Sequence, residues 1–317
     1  MGDSPTKVLY DYKDPINICA ALIMFLIGSC GVVWNVLMVL VFCKDKSERT
    51  SFNLICLFRA LANIYILISI FFTDFIPVTL LGYSVYTPYA ETVLIAVTNS
   101  IYVVNEYITI FVAANRFFAI FFPLAYSKFF GIRMTLFYLI AFYVFRGTIF
   151  VQQLIENPQT CYYTFDPATL AWSPSEPCFQ LHSFFMTFTL CALIVISIVN
   201  FATFTRIVIF YKNGPGNQDP QSRLKIKSNI NLFFQTLLQD SLFLIDLTST
   251  YKLNDLSTNR VWTFVCGSMI WQCLHSFDGL IMIMFNEKLS QFKKRLSSST
   301  SPSDYGKYSK TEVATID

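Results

Sequence analysis

Apolar residues along this chain gather into long unbroken runs rather than the alternation of a half-buried strand or the stripe of a soluble helix. A bilayer core about 30 Å thick needs about 20 mostly apolar residues in a helix. Seven runs reach that length: 16–43, about 52–76 up to Pro77, about 92–115, about 134–155, about 179–211, about 229–250 and 261–285. The pattern predicts an all-α membrane protein, a bundle of seven transmembrane helices. Residues 1–15 form an N-tail, 16–287 the membrane domain, 288–296 a short amphipathic helix and 297–317 a polar tail.

Composition agrees: 54% of residues are hydrophobic and only 14% charged, against about 25% charged in an ordinary soluble domain. A net charge of +3 is too small for a nucleic-acid binder. Its distribution sets the orientation, because Lys and Arg stay on the cytoplasmic side. With the N-terminus outside, the inner segments hold 17 Lys/Arg and the outer ones 4, leaving Arg59 and Arg146 within runs. The N-terminus is therefore placed outside and the C-terminus inside, with the first helix as an uncleaved insertion signal.

The third run ends in "NRFFAIFFPLAY", residues 115–126, which puts Arg116 at a cytoplasmic boundary where a guanidinium can snorkel to water. Asn115, Arg116, Ala119, Ile120, Pro123, Leu124 and Tyr126 resemble the (D/E/N)-R-(Y/F)-x-A-I-x-x-P-L-x-Y signature of rhodopsin-like G protein-coupled receptors. Together with "CYYTFDPATLAWSPSEPC" and "HSFDGLIMIMFN", the wording is similar to the nematode serpentine receptor class x chemoreceptors. That resemblance implies a chemosensory receptor which binds an extracellular small molecule, an odorant or pheromone, and activates a heterotrimeric G protein. It implies no cofactor, no metal and no enzymatic activity. Asn115, Arg116, Phe117, Pro123 and Tyr126 become the coupling residues, with the arginine paired locally at rest and released to a partner when the sixth helix swings out. The plasma membrane of chemosensory neurons, in particular the sensory cilium, is the implied location.

Departures from the wider family are visible as well. Gly31 and Asn35 resemble the asparagine region of its first helix, but Asn63 stands where relatives carry an acid and Arg59 is an addition. The seventh run reads Asp278-Gly279-Leu280-Ile281-Met282 where relatives carry N/D-P-x-x-Y, and the sixth lacks the usual tryptophan and proline.

Ionisable groups inside a bilayer cost a few kcal/mol unless paired or hydrated. At about 1.5 Å per residue, Arg59, Glu106 and Asp278 fall at similar depth; the resemblance implies that the second, third and seventh helices are neighbours, so one charge cluster of Arg59, Glu106 and Asp278 with Asn63 and Asn35 is expected, Asp278 being the first choice of partner for Arg59. Asp74 and Glu91 fall near the outer surface and are expected to be solvated. A ligand pocket in the outer half would draw on Thr98, Tyr102, Asp246, Trp271, Gln272 and His275. Thr98 occupies the position where aminergic receptors carry an aspartate, and Gln272 that of the retinal lysine of opsins, which argues against amine and light sensing of those kinds.

Seven of the nine cysteines fall in or beside runs and are expected to be buried thiols. Cys161 and Cys178 lie in the second outer loop on the oxidising side, which favours a disulfide. Relatives bridge this loop to a cysteine 25 residues before the signature arginine; that position is Glu91, so a bridge within the loop is inferred, worth about 3 kcal/mol. After the seventh run, Leu289, Phe292 and Leu296 share one side of an interfacial helix ringed by Lys288, Lys293, Lys294 and Arg295. Hydroxyls beyond it offer sites to a receptor kinase and arrestin. The competing reading is a small-solute transporter or ligand-gated channel that uses Arg59, Arg146 and Asp240. It lacks internal repeats, paired breaks at mid-membrane and a ring of pore charges.

Overall fold

The structure, a computed structural model, describes residues 13–46, 49–156, 163–174, 176–213 and 220–286, with backbone alone at 88, 153–156, 163, 173–174, 176–188, 210–213 and 220–229. Long helices follow the apolar runs. They are α1 (Pro15–Lys44), α2 (Ser51–Leu81), α3 (Pro88–Phe121), the short α4 (Pro123–Phe129), α5 (Ile132–Glu156), α6 (Glu176–Asn213), α7 (Pro220–Thr248) and α8 (Arg260–Phe285). Among the described residues, all of the long ones except α7 are long and apolar enough to cross a membrane by length and composition. Helix α7 completes the bundle while carrying buried Gln235, Gln239, Asp240 and Asp246.

Helix starts are set by local chemistry. Asp14, Thr50, Thr87 and Asn259 each accept a hydrogen bond from a first-turn amide, satisfying donors that the helix leaves open. Pro15, Pro88 and Pro123 stand at first-turn positions, where a missing N–H costs nothing. Helix α2 runs past Pro77, contrary to the stop expected there. Residues Leu67–Phe75 form a π-helical segment, so the hydrogen-bond pattern changes just where the proline cannot donate. The helix closes at Gly82, whose left-handed φ of 78° lets its amide reach the Val78 carbonyl.

Helices α1 and α8 approach closely through small residues, as helices do in lipid. A Cβ at Gly31 would lie 2.8 Å from the Ser276 Cα, and one at Gly279 would lie 2.6 Å from the Asn35 amide nitrogen. Two apolar clusters fill the interior. One holds Met38, Ile55, Ile108, Val112, Leu139 and Met282 toward the cytoplasmic end; the other holds Met24, Ile66, Phe71, Phe75, Ile95 and Phe264 toward the outer end. Polar residues separate them. Outward-facing Phe137, Phe145, Ile198 and Phe201 are exposed, as a lipid-facing surface requires.

The bundle is all-helical as expected, and its outer loop adds an antiparallel hairpin, β1 (Tyr163–Asp166) and β2 (Ala171–Pro174). One expectation needs correction. The seven cysteines outside that loop are free thiols, but only Cys56 and Cys266 are buried, Cys273 is half-buried, and Cys19, Cys30, Cys43 and Cys191 are exposed. In a protein surrounded by hydrocarbon, a thiol gains little by turning inward, and the burial preference learned in water lapses.

Candidate functional site

The polar layer is built on Asp278 of α8. Its Oδ1 accepts from Arg59 Nη2 at 2.7 Å and Gln239 Nε2 at 2.8 Å; its Oδ2 accepts from Asn63 Nδ2 at 2.8 Å and Arg59 Nε at 3.3 Å. Asn63 also donates to Asn35 Oδ1 at 3.2 Å, and its own Oδ1 meets His275 Nδ1 at 2.9 Å and accepts from Asn105 at 3.4 Å. Asn35 returns to the carbonyls of Gly31 and His275. Arg59 is 1% exposed and Asp278 2%, a depth at which either charge alone would cost several kcal/mol. The rest of the guanidinium lies 5.5 Å over the Phe243 ring, a favourable face for a cation. Five helices, α1, α2, α3, α7 and α8, therefore meet through one hydrogen-bonded carboxylate.

Glu106 does not join this layer. Asn105 faces it, and the next residue along a helix is turned by about 100°, which points Glu106 toward α6. There its Oε2 accepts from Thr189 Oγ1 at 3.1 Å. Asp240 likewise bonds sideways, to Asn200 at 2.6 Å.

At the cytoplasmic end, Arg116 stacks its guanidinium 3.7 Å over the Phe52 ring of α2. The arginine is 6% exposed, and its Nε and Nη2 have no hydrogen-bond partner. Among the described residues its contact is aromatic, not a carboxylate. Asn115 donates to the Tyr126 hydroxyl at 3.3 Å, tying α3 to α4, which Pro123 opens. Tyr126 stacks on Phe130, and Phe117 stacks on Phe121 one turn away.

In the outer half, Tyr102 donates to Asp246 Oδ2 at 2.8 Å. Its ring meets those of Phe243, His275 and Trp271. Tyr102, Asp246, Trp271 and His275 thus stand together. Thr98 and Gln272 turn elsewhere, Thr98 to Ser69 of α2 and Gln272 to the Met24 carbonyl of α1. Both are fully buried in helix contacts.

The hairpin seals this end. Phe165 and Leu170 are buried, and Trp172 packs edge-on against Phe71 and Trp271 while donating to Asp74 at 3.1 Å. Glu91 accepts from the Phe165 amide at 2.7 Å and from Ser84 at 2.9 Å. Ser268 donates to the Leu170 carbonyl at 2.6 Å. Arg260 bonds Asp14, the Pro167 carbonyl and Asn17, drawing the N-terminal end of α1 onto the same loop. Asp74 and Glu91, expected to be solvated, are 0% and 3% exposed. The wider π turns of Leu67–Phe75 re-phase the outer part of α2 and bring Asp74 inward, and the hairpin covers both acids.

The inferred Cys161–Cys178 bridge falls partly outside the described residues: Cys161 is not described and Cys178 is described by backbone alone. Residues 287–317, with the amphipathic helix and tail, lie outside them too. Sequence reading missed Asn105, Gln239 and Phe52. The two amides were legible as polar interruptions of apolar runs, whereas Phe52 carried no signal among 33 phenylalanines.

A helical bundle with a polar core, an arginine at the inner end of α3 and a hairpin plug outside defines a seven-helix receptor fold. The solved structure of squid rhodopsin shares it, with a TM-score of 0.71 and 13% identity over 95% of this chain and 94% of that one. Residues 25–286 match the family model for the serpentine type 7TM GPCR chemoreceptor Srx. The chain belongs to that family and is a G protein-coupled chemosensory receptor, not an enzyme. It is 24% identical to serpentine receptor class X 45 of Caenorhabditis elegans over 299 residues, 86% of this chain and 80% of the relative.

Proposed function

We propose that the receptor detects a small extracellular organic molecule and passes the signal to a heterotrimeric G protein through Arg116. The supporting observation is the setting of that side chain: buried, stacked on Phe52, with Nε and Nη2 unpartnered. Donors left open in this way are costly to the closed state and become available once the helices part. Phe117, Pro123 and Tyr126 shape the adjoining inner surface, with Asn115 holding α3 to α4. The Arg59–Asp278 layer is proposed as the central tie that the movement works against, and the Tyr102–Asp246–Trp271–His275 group as the outer polar wall of a ligand chamber, with Thr98 and Gln272 behind it. The plasma membrane, as ciliary membrane of chemosensory neurons, is the proposed location, and a receptor kinase and arrestin are proposed partners of the tail.

The test is calcium or cAMP imaging of cells that express the receptor with a promiscuous G protein, challenged with pooled small organics beside Arg116→Ala. A response present in the wild type and absent from an equally expressed variant supports the reading. A ligand-evoked current that ignores Arg116 would instead favour the transporter or channel.

A further inference from the structure

Asp240 of α7, 9% exposed, has no hydrogen bond to the polar layer, although Gln239, the residue before it, does. Its Oδ2 accepts from Asn200 of α6, while Oδ1 is buried with no hydrogen-bond partner. On α2 there is a matching orphan donor. A guanidinium spreads five N–H bonds over three nitrogens; Asp278 draws on Nε and Nη2 of Arg59, and Nη1 is left buried and unpartnered. The two groups are close enough for the Arg59 charge to act on the Asp240 carboxyl. Each open atom is costly at this depth, and each is what the other lacks.

The rotation of α7 keeps them apart. Successive residues of a helix are turned by about 100°, so Asp240 lies about 100° round from Gln239, which bonds Asp278, and about 60° from Phe243, whose ring faces the Arg59 guanidinium. A turn of α7 by less than about 100° exchanges the Gln239–Asp278 bond for an ion pair between Asp240 Oδ1 and Arg59 Nη1, while Arg59 keeps both contacts with Asp278. One bond to a charge is lost and two orphaned atoms are satisfied, a balance that suits an element with two positions. Asp246 lies about 20° from Gln239 on the same face, so the turn also draws it away from the Tyr102 hydroxyl. A ligand that competes for the Tyr102–Asp246 bond thereby favours the turned position.

We infer that Asp240 is the second partner of Arg59, and that this pair holds α7 in the position from which the receptor signals. Asp278 anchors Arg59 in both positions; α7 presents an amide to the layer in one and a carboxylate in the other. The signalling half of the assignment rests on the proposed coupling through Arg116, whereas the pair itself does not.

Thermal unfolding of the purified full-length receptor in lipid nanodiscs reads the pair without a G protein. Gln239→Leu removes the tie to Asp278 at similar volume, and Gln239→Met is a parallel background. Asp240→Asn keeps an acceptor for Asn200 but loses the charge. It is expected to leave the unfolding temperature of the wild type within about 2 °C and to lower that of either Gln239 variant by about 5 °C or more. Nucleotide exchange on a G protein in membranes then reads the signalling. Ligand-independent exchange is expected to rise several-fold in Gln239→Leu and to fall back when Asp240→Asn is added. It is expected to persist when Asp240→Glu, which keeps the charge, is added instead. An equal loss of stability from Asp240→Asn in all three backgrounds, or a raised exchange rate that survives Asp240→Asn, would overturn the assignment. Stability that follows the expected pattern with no exchange in any variant would leave the Arg59–Asp240 pair standing and remove the G-protein reading instead.

Discussion

Arg59 and Asp278, 219 residues apart in sequence, form a two-contact ion pair in the middle of the bundle, with nitrogen–oxygen distances of 2.7 and 3.3 Å. The pair is buried, and its acid also holds Asn63 and Gln239. Breaking a buried pair from one side leaves an uncompensated charge and costs about 3–5 kcal/mol. Arg59→Met and Asp278→Leu are each expected to lower the unfolding temperature and surface expression sharply. The double variant is expected to recover much of both, since no charge is then stranded. A double-mutant cycle on detergent-purified protein reads the coupling; simple additivity of the two losses would show that the pair is not what holds the layer.

The Arg116–Phe52 stack makes a separate prediction about basal signalling. Phe52→Leu removes the ring face, worth about 0.5–2 kcal/mol to a cation, and frees the arginine without touching its donors. Ligand-independent G-protein activation is expected to rise several-fold at equal expression. Nucleotide exchange on the G protein in membranes measures it, and an unchanged basal rate would mean that the stack does not restrain Arg116.

Glu91 offers a third test, at the outer end. Its carboxylate holds the Phe165 amide and the Ser84 hydroxyl, so Glu91→Ala strands a buried donor at a cost of about 1–3 kcal/mol. Faster limited proteolysis of the hairpin is expected, with a smaller effect for Glu91→Gln, which keeps one acceptor. Equal cleavage rates in wild type and Glu91→Ala would show that the apolar plug alone seats the loop.

Close approach of α1 and α8 predicts the fourth. At Gly31 a side chain would press against Ser276 backbone, which cannot swing aside as a flexible tip can. Gly31→Val is expected to cost about 1–3 kcal/mol through overpacking and to cut surface expression. Gly147→Val is the control, because a Cβ there meets nothing within 4 Å. Similar expression of the two variants would contradict the packing argument.

Much of this was legible in the sequence from particular residues. Asp278 was the first choice for Arg59 from its depth together with the helix adjacency that the family resemblance implies, since two opposite charges at one level of a bilayer have few other partners. The signature beginning at Asn115 located the inner end of α3. Depth, however, is one coordinate of a helical residue and azimuth is the other. Glu106 shared the depth of the ion pair and faced the wrong way by one residue's turn. Asp74 and Glu91 sat near the outer surface by count, yet a π segment and a docked hairpin buried them.

The sequence by itself determined how many helices span the membrane, which way they run and where Arg116 stands. These follow from the transfer of side chains between water and hydrocarbon, a cost that acts segment by segment along the chain. Tertiary structure alone decided that Asp278 gathers four hydrogen bonds, that Arg116 rests on Phe52, that the hairpin plugs the outer end and that Glu106 faces α6. Those depend on the rotation of helices against one another, set by contacts between residues far apart in the chain, and no local stretch carries that information.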